Sequence, residues 1–359
     1  MKLPQRQSLA AETERVIRAM IYSGEIKQKL PGERDFAARL QVGRDTLRAA
    51  LVELEKAGWI SQGCHGKRRS ILKAQGDRGA EVNRRRIGFL SPKRLEELTP
   101  NMLLEIDQVR EMLARKDISL EMHSPSIFSL KRPGARLQEL VDSHHYDVWI
   151  LHQSNESVQQ WFAEQGTPCL VRGQVYPGIE LPSLDQDWQA IGYHAAISLI
   201  AHGHRSIGLV IPNTHLRGLH TVKDGVEDAI AKSSKTVKLH SIVENGSTSA
   251  LALAALLQRT SQTQEPPTAM LATRSRQVLT ISSWLASRRL CIPEDMSLIS
   301  LTYDNTLDAL LPQTSHYHSN VSTMARSLAR KLDAVMEGQG QGEKLLIPDF
   351  VLGKSIRKV

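Results

Sequence analysis

Hydrophobic positions between residues 30 and 60 recur with helical spacing in two short stretches. The first stretch has one apolar face of little more than a turn, formed by Phe36, Ala37 and Leu40. The second has apolar residues at positions i, i+3, i+4 and i+7, namely Leu47, Ala50, Leu51 and Leu54. Gln41-Val42-Gly43 separates the two stretches. The pattern predicts two helices that are joined by a tight turn and bury one face each.

The polar face of the second predicted helix begins with Arg44, Asp45 and Arg48. Arg44 and Arg48 are four residues apart, so both side chains can point in the same direction. The first turn of such a helix can enter the major groove of B-DNA, where arginine binds guanine through two hydrogen bonds. The alternative is a helical hairpin whose arginines merely form a solvated face.

The residues on either side of the helix pair extend this prediction. One apolar stripe covers residues 7–23 and predicts a helix that packs behind the pair. Trp59-Ile60 and residues 70–72 predict the two strands of a hairpin, with glycines near its tip. His65 at this tip is either a turn residue or a phosphate contact, and the basic residues 67–69 beside it favour the contact.

Charge is distributed unevenly along the chain. Residues 1–86 contain 19 Lys and Arg against 10 Asp and Glu, a net charge of +9, and the remaining residues contain 27 against 28, a net charge of −1. A basic head beside a nearly neutral body is expected when one end of a protein neutralises phosphates. The charge therefore favours nucleic-acid binding by the first 86 residues.

A polar stretch at residues 73–85 predicts a linker, and the pattern changes beyond it. Short apolar runs alternate there with helical stretches, the runs beginning at Ile87, Val148, Cys169, Ile207, Ala269 and Met296. This alternation predicts an α/β fold with parallel sheets and helices on both faces. The three cysteines lie far apart and form no CxxC pattern, so neither disulfides nor a zinc site are expected. No apolar run is long enough to span a membrane, and a cytoplasmic protein is expected.

The stretch from Leu30 to Ile60, LPGERDFAARLQVGRDTLRAALVELEKAGWI, resembles the winged helix-turn-helix head of GntR-type bacterial transcription regulators. The resemblance implies DNA contacts at Arg34, Arg44, Thr46, Arg48, His65 and Gly66. The polar face of the second helix and the basic wing add Asp45 and Lys67 to the predicted contacts. Gly32 and Gly43 stand where the family usually has a serine N-cap. Glycine caps a helix nearly as well but offers no hydroxyl to a phosphate.

Residues 86–359 resemble the effector-binding domain of LacI/GalR-type regulators, which is similar to periplasmic sugar-binding proteins. The matching motifs are GHRSIG at residues 203–208 and IPEDMSLI at residues 292–299. The resemblance implies two α/β lobes, a ligand cleft at the carboxyl ends of the strands, and a hinge crossed three times, near 184–188, 312–320 and 338–345. The predicted domains are a winged helix-turn-helix at 1–72, a linker at 73–85 and an effector and dimerisation domain at 86–359.

Candidate effector contacts are the polar residues at predicted strand ends, which are Arg172, His215, Arg217, Arg276 and Asp304. Each could equally be a rim or hinge salt-bridge residue, and the arginines suggest an anionic ligand. Trp188 is a further cleft or hinge candidate, whereas Trp149 is expected in the core. Val222 and Ser275 replace an arginine and an acidic residue that are usual in the family, so the ligand class stays open.

The two resemblances, together with the uneven charge, imply a homodimeric repressor of the winged helix-turn-helix type that binds a roughly palindromic operator and responds to a sugar or sugar derivative. The alternatives are a constitutive DNA-binding protein with a degenerate pocket, or a sugar-binding module with an incidental basic head. No catalytic motif is found, and the histidine pairs lack further ligands at metal-binding spacing. We therefore expect no enzyme activity, cofactor, metal or membrane partner.

Overall fold

The computed structural model describes residues 9–22, 26, 29–62, 68–72, 85–245 and 249–359. The chain divides into two compact units, Met1–Asn83 and Arg84–Val359. No helix among these residues is long and apolar enough to cross a membrane.

The first unit contains three helices, α1 (Leu9–Tyr22), α2 (Glu33–Leu40) and α3 (Arg44–Lys56). Their apolar faces form one core, whose fully or nearly fully buried members are Ile17, Ile21, Ile26, Leu30, Phe36, Ala37, Leu47, Ala50, Leu51, Leu54 and Ile60. Gln41 ends α2 in the left-handed conformation, with φ of 53°. Gly32 and Gly43 are the N-cap residues of α2 and α3 and make no side-chain cap. The helix-turn-helix prediction is confirmed, because the residues with 3.6 spacing are those that become buried.

The described ends of the predicted wing pair with each other. The Ser61 amide donates to the Ser70 carbonyl at 2.8 Å, and Ile60 and Ile71 form an antiparallel bridge. Residues 63–67, which include the predicted DNA contacts His65, Gly66 and Lys67, lie outside the described residues.

The second unit consists of two α/β lobes, each built on a six-stranded sheet. The first sheet is wholly parallel, in the order β11-β5-β4-β3-β1-β2. Its strands are β1 (Arg86–Leu90), β2 (Ser119–His123), β3 (Val148–His152), β4 (Cys169–Arg172), β5 (Ser183–Gln186) and β11 (Glu343–Leu346). The helices of this lobe are α4 (Pro100–Ala114), α5 (Gly134–His144), α6 (Glu156–Gln165) and α11 (Val321–Met336).

The second sheet has the order β12-β10-β9-β8-β6-β7 and is parallel except for β12. Its strands are β6 (Ser206–Pro212), β7 (Lys238–Glu244), β8 (Ala269–Ala272), β9 (Ser297–Ser300), β10 (Ser315–His318) and β12 (Asp349–Val351). The helices are α7 (Trp188–Ala201), α8 (Arg217–Lys232), α9 (Ala250–Ser261) and α10 (Ser275–Ala286). The predicted α/β fold class is confirmed. Strands such as β3 and β8 are buried along their whole length, which explains why nearly all of their residues are apolar.

The chain passes between the two lobes three times, after Gln186, after His318 and at Ile347-Pro348. The third passage lies beyond the predicted hinge segment 338–345. That prediction placed it too early because residues 343–346 form β11, which pairs with β5 and still belongs to the first lobe.

Candidate functional site

The leading turn of α3 is the predicted DNA-reading surface of the first unit. Arg44, Asp45 and Arg48 are exposed, whereas the apolar residues on the other face of α3 are buried in the core. Among the described residues, Arg44 makes no ion pair or side-chain hydrogen bond, and its guanidinium is available to a partner. The carboxylate of the first turn, by contrast, lies close to the second arginine, since Asp45 Oδ1 is 3.9 Å from Arg48 Nη1.

Glu33 at the start of α2 connects the two helices to the wing. Its Oε2 accepts from Arg48 Nε at 2.9 Å, and its Oε1 accepts from Arg69 Nη1 at 2.8 Å. The hydrogen bonds from Arg69 and then Arg48 hold the pKa of the Glu33 carboxyl below its ordinary value. Arg69 also donates to Glu55 of α3. These ion pairs fix the recognition end of α3 against α2 and the base of the wing.

The other predicted DNA contacts occupy different surroundings. Arg34 is exposed on α2, with its Nε 3.5 Å from Asp35 Oδ1, and Thr46 is half-buried in the first turn of α3. The structure thus groups Arg44, Asp45, Thr46 and Arg48 at one helix end.

A cavity of about 490 Å³ lies between the two lobes of the second unit. Four of the five predicted effector residues line it, which are Arg172, Arg217, Arg276 and Asp304. His215 is exposed and does not line it, and its carbonyl oxygen accepts a hydrogen bond from the Tyr176 hydroxyl. Trp188 also lines the cavity, whereas Trp149 is fully buried in the core.

Arg172 forms a buried ion-pair triad at the floor of the cavity. Its Nε and Nη2 donate to the two oxygens of Glu105 at 2.7 and 3.0 Å, and its Nη1 donates to Asp185 Oδ1 at 3.0 Å. Trp188 Nε1 donates to the second oxygen of Asp185 at 3.0 Å. Burial acts to lower the pKa of Arg172, but the two carboxylates outweigh it and raise that pKa. Burial raises the pKa of the Asp185 carboxyl despite the opposing effect of Arg172.

Arg276 and Asp304, from the second lobe, are engaged by their own lobe. Arg276 Nη2 lies 3.2 and 3.3 Å from the two oxygens of Glu244, which is buried and also accepts from Gln277 Nε2 at 2.6 Å. Asp304 caps a short 3₁₀ helix by accepting from the Thr306 amide at 3.0 Å. These residues line the cavity and also serve the local structure.

The sequence interpretation missed several polar residues of the cavity, among them Lys93, Glu105, His152, Asp185 and Arg274. Lys93, His152 and Arg274 follow or end β1, β3 and β8, so the strand-end rule that selected the other candidates could have found them. Glu105 lies on the helix α4, where no strand-end signal exists. Val222 is buried in the core between α7 and α8 rather than in the cavity, whereas Ser275 lines the cavity.

The two lobes touch each other on both sides of the cavity. Asn101 Nδ2 of the first lobe donates to the Tyr303 carbonyl of the second at 2.5 Å. Thr221 Oγ1 of the second lobe donates to Gln174 Oε1 of the first at 3.3 Å. The second unit therefore has a closed cleft.

His152 supplies an uncharged ring to the cavity. Its Nδ1 lies 3.1 Å from Ser91 Oγ, and its side chain is almost completely buried. Burial, and then the charges of Arg172 and Lys93, lower the pKa of His152 to about 3. The imidazole is therefore neutral at physiological pH and can either donate to or accept from a ligand hydroxyl.

This depressed pKa predicts that acid destabilises the protein through His152. In the unfolded chain a histidine binds a proton near pH 6.5, whereas folded His152 does so only near pH 3. Folding stability should therefore fall as pH decreases from 6.5 towards 3, and His152 should account for roughly 2 kcal/mol of the loss between pH 7.5 and 5.0. Urea unfolding of the wild type and of His152→Asn at both pH values measures this contribution.

The exposed His145 provides the matched control, because His145→Asn should lose stability with pH as the wild type does. A His152→Asn variant that lost stability in parallel with the wild type would contradict the assignment.

Comparison with known proteins finds a family match within each unit. Residues 9–63 match the bacterial regulatory proteins of the gntR family, and residues 181–356 match the periplasmic binding protein-like domain. The chain is 19% identical over 358 residues to the arabinose metabolism transcriptional repressor of Geobacillus stearothermophilus, with 96% of each chain covered. Both resemblances predicted from the sequence are confirmed.

Solved structures share the fold of the second unit. A putative LacI transcriptional regulator from Bacillus cereus subsp. cytotoxis has a TM-score of 0.68 and 18% identity, covering 77% of this chain and 99% of its own. A LacI family transcriptional regulator from Enterococcus faecium with bound ribose has a TM-score of 0.62 and 18% identity, covering 77% of this chain and 100% of its own.

Proposed function

We propose that this transcription regulator, a gntR-family DNA-binding head joined to a periplasmic binding protein-like domain, is a repressor whose operator affinity changes when a small sugar or sugar derivative binds in the interlobe cavity. The observation that carries the DNA-binding role is the leading turn of α3, which exposes Arg44 and Arg48 while the opposite face of the helix is buried.

The geometry of α3 supports entry into the major groove. Arg44 is the first residue of the helix and Arg48 lies on the next turn, so both guanidinium groups can reach base edges from one side. Glu33 already orients Arg48, which lowers the entropy that this side chain loses on binding DNA. Arg44 reads bases and Arg48 either reads an adjacent base or holds a phosphate.

The closed cavity supports a ligand-dependent switch. A ligand that contacts both lobes binds the closed arrangement more tightly than an open one, and it shifts the equilibrium by that difference in affinity. In a homodimer, such a shift changes how two heads engage two half-sites of a palindromic operator. A sugar-type ligand is supported by the arabinose repressor and the ribose-bound regulator among the relatives.

Constitutive DNA binding is the alternative, since the sequence departs from the family at Val222 and Ser275. The lining of the cavity argues against this alternative. Val222 is buried in the interface of α7 and α8 and does not line the cavity, and the lining keeps charged and hydrogen-bonding side chains.

The DNA-binding role is tested by Arg44→Ala. Loss of one bidentate arginine contact should weaken binding to the selected operator by about 1–3 kcal/mol, or roughly tenfold to hundredfold, and relax selectivity at one base pair. The operator is first selected from random duplexes with the full-length protein, and affinities are then measured by fluorescence anisotropy at fixed salt.

Lys56→Ala is the matched control, because it removes one positive charge from the opposite end of the same helix. We expect this control to retain the base preference of the wild type. An Arg44→Ala variant with unchanged selectivity would refute the assignment of α3 as the reading helix.

A further inference from the structure

Five cations line the interlobe cavity, and their charges are balanced unequally. These are Lys93, Arg172, Arg217, Arg274 and Arg276. Arg172 is neutralised by Glu105 and Asp185, and Arg276 by Glu244. The positive charges that these ion pairs leave unbalanced are therefore those of Lys93, Arg217 and Arg274.

Lys93 and Arg274 come from different lobes and border the same cavity. Lys93 follows β1 of the first lobe, and Arg274 follows β8 of the second. Within the described part of the chain, neither side chain has an ion-pair partner or a hydrogen bond to a carboxylate. Both are half-buried. Burial, and then the charge of Arg274, lower the pKa of Lys93, and burial lowers the pKa of Arg274 although Glu244 opposes it.

The acidic residues of the cavity are committed elsewhere. Glu105 and Asp185 bind Arg172, and Asp304 caps its 3₁₀ helix. Glu97 is exposed and accepts from the Arg94 amide at 2.8 Å, so only its long-range charge acts on Lys93. The closed cleft thus holds two like charges from opposite lobes together, and such charges repel each other unless an anion lies between them.

We infer that the ligand of this cavity is a polyhydroxylated anion, a sugar phosphate or a sugar acid, whose anionic group binds Lys93 of one lobe and Arg274 of the other. The inference rests on the proposed function, because it specifies the ligand class of the proposed effector site.

The remainder of the cavity suits the hydroxyl groups of such a ligand. The carboxylates of Glu105 and Asp185 accept hydrogen bonds, and the neutral ring of His152 can do the same or donate. Trp188 adds an aromatic side chain to the lining. A volume of about 490 Å³ accommodates a single small polar ligand. The lining thus offers cations to an anionic group and hydrogen-bond acceptors to hydroxyl groups.

The arrangement also explains why the ligand would control closure. An anion between Lys93 and Arg274 replaces a repulsion across the cleft by two charge-assisted hydrogen bonds. A neutral sugar leaves the repulsion in place. Selectivity for anionic ligands therefore follows because each lobe brings to the cavity a cation that has no ion-pair partner among the described residues.

The test uses the full-length wild type and the variants Lys93→Met, Arg274→Met and Arg94→Met. Arg94 is the control, since it is exposed, lies next to Lys93 and does not line the cavity. Thermal unfolding is followed in sulfate against chloride at equal ionic strength, and then with glucose 6-phosphate, gluconate or glucose. The first series tests the anion site itself, and the second distinguishes phosphate, carboxylate and neutral sugars.

We expect sulfate to raise the unfolding midpoint of the wild type and of Arg94→Met more than that of Lys93→Met and Arg274→Met. Without added anion, the two cavity variants should unfold at a higher midpoint than the wild type, because the repulsion is gone. Any anionic sugar that shifts the wild type should bind roughly tenfold to hundredfold more weakly to either cavity variant.

Equal sulfate responses in all four proteins would overturn the inference, and so would a wild type that responds to glucose but to neither anion. Operator binding by the same four proteins separates this outcome from failure of the proposed function. Selective DNA binding together with equal sulfate responses refutes only the anion site, whereas absence of selective DNA binding refutes the regulator.

Discussion

Arg172→Met is expected to lower the free energy of unfolding of the second unit by about 3–5 kcal/mol, because it leaves two buried carboxylates without their cation. Glu105, Arg172 and Asp185 are 4, 8 and 7% exposed, so solvent would screen the two unpaired carboxylates only weakly. Arg172 makes three hydrogen bonds to the two carboxylates. The side chain also shapes the floor of the cavity, and ligand affinity should fall together with stability.

The measurement is urea unfolding of the full-length protein at pH 7.5 and at pH 5.0. The penalty of Arg172→Met should be smaller at pH 5.0, because a buried carboxyl without its cation can then take up a proton more readily. Arg115→Met is the control, since Arg115 at the end of α4 forms an exposed ion pair with Glu111 one turn earlier in the same helix and should contribute less than about 1 kcal/mol. Equal losses of unfolding free energy in Arg172→Met and Arg115→Met would show that the buried triad contributes no more to stability than the surface ion pair.

Gly225→Val is expected to destabilise the second lobe by about 3 kcal/mol or more, because it overpacks a contact between two helix backbones. A Cβ atom on Gly225 would lie 2.1 Å from the carbonyl oxygen of Gln189. The contact is reciprocal, since a Cβ on Gly192 would lie 2.2 Å from the carbonyl oxygen of Val222. Neither oxygen can move without shifting its helix, so α7 and α8 must separate.

Separation of α7 and α8 should also change the shape of the cavity. Arg217 and Gly218 at the start of α8 line the cavity, and Gly218 packs against Trp188 at the start of α7. Thermal unfolding and ligand titration of Gly225→Val measure the two effects. Ala231→Val is the control, because it places a valine side chain at an exposed position of the same helix and should cost only about half a kcal/mol, the difference in helix propensity. Comparable losses of stability in Gly225→Val and Ala231→Val would show that the close approach of α7 and α8 is not required for stability.

The helix-turn-helix could be predicted in detail because its signals are local. Leu47, Ala50, Leu51 and Leu54 are neighbours on one helical face, so their spacing identifies the buried side and, by exclusion, the side that carries Arg44. The roles of Glu33 and Arg69 could not be predicted. They are 36 residues apart, and only the folded core brings the wing strand against the start of α2.

The sequence predicted where the cavity lies but not which side chains line it. Parallel strands end at one edge of each sheet, and residues at those ends, such as Arg172, Arg217 and Asp304, therefore had to lie near a common opening. His215 satisfied the same rule, yet its side chain is exposed outside the cavity. The rule determines where along the chain the opening lies but not the direction of each side chain.

The sequence by itself determined the two fold types, their order and the buried face of each main element, because hydrophobic spacing and strand-helix alternation are encoded within a few residues. The tertiary structure decided which charges are paired. Arg172 is neutralised by a glutamate 67 residues away, and Arg276 by one that lies 32 residues away. Lys93 and Arg274 line the same cleft from opposite lobes, and within the described part of the chain no carboxylate is bonded to either. Coulombic pairing depends on distance in space, and this distance is set only when helices and sheets pack together.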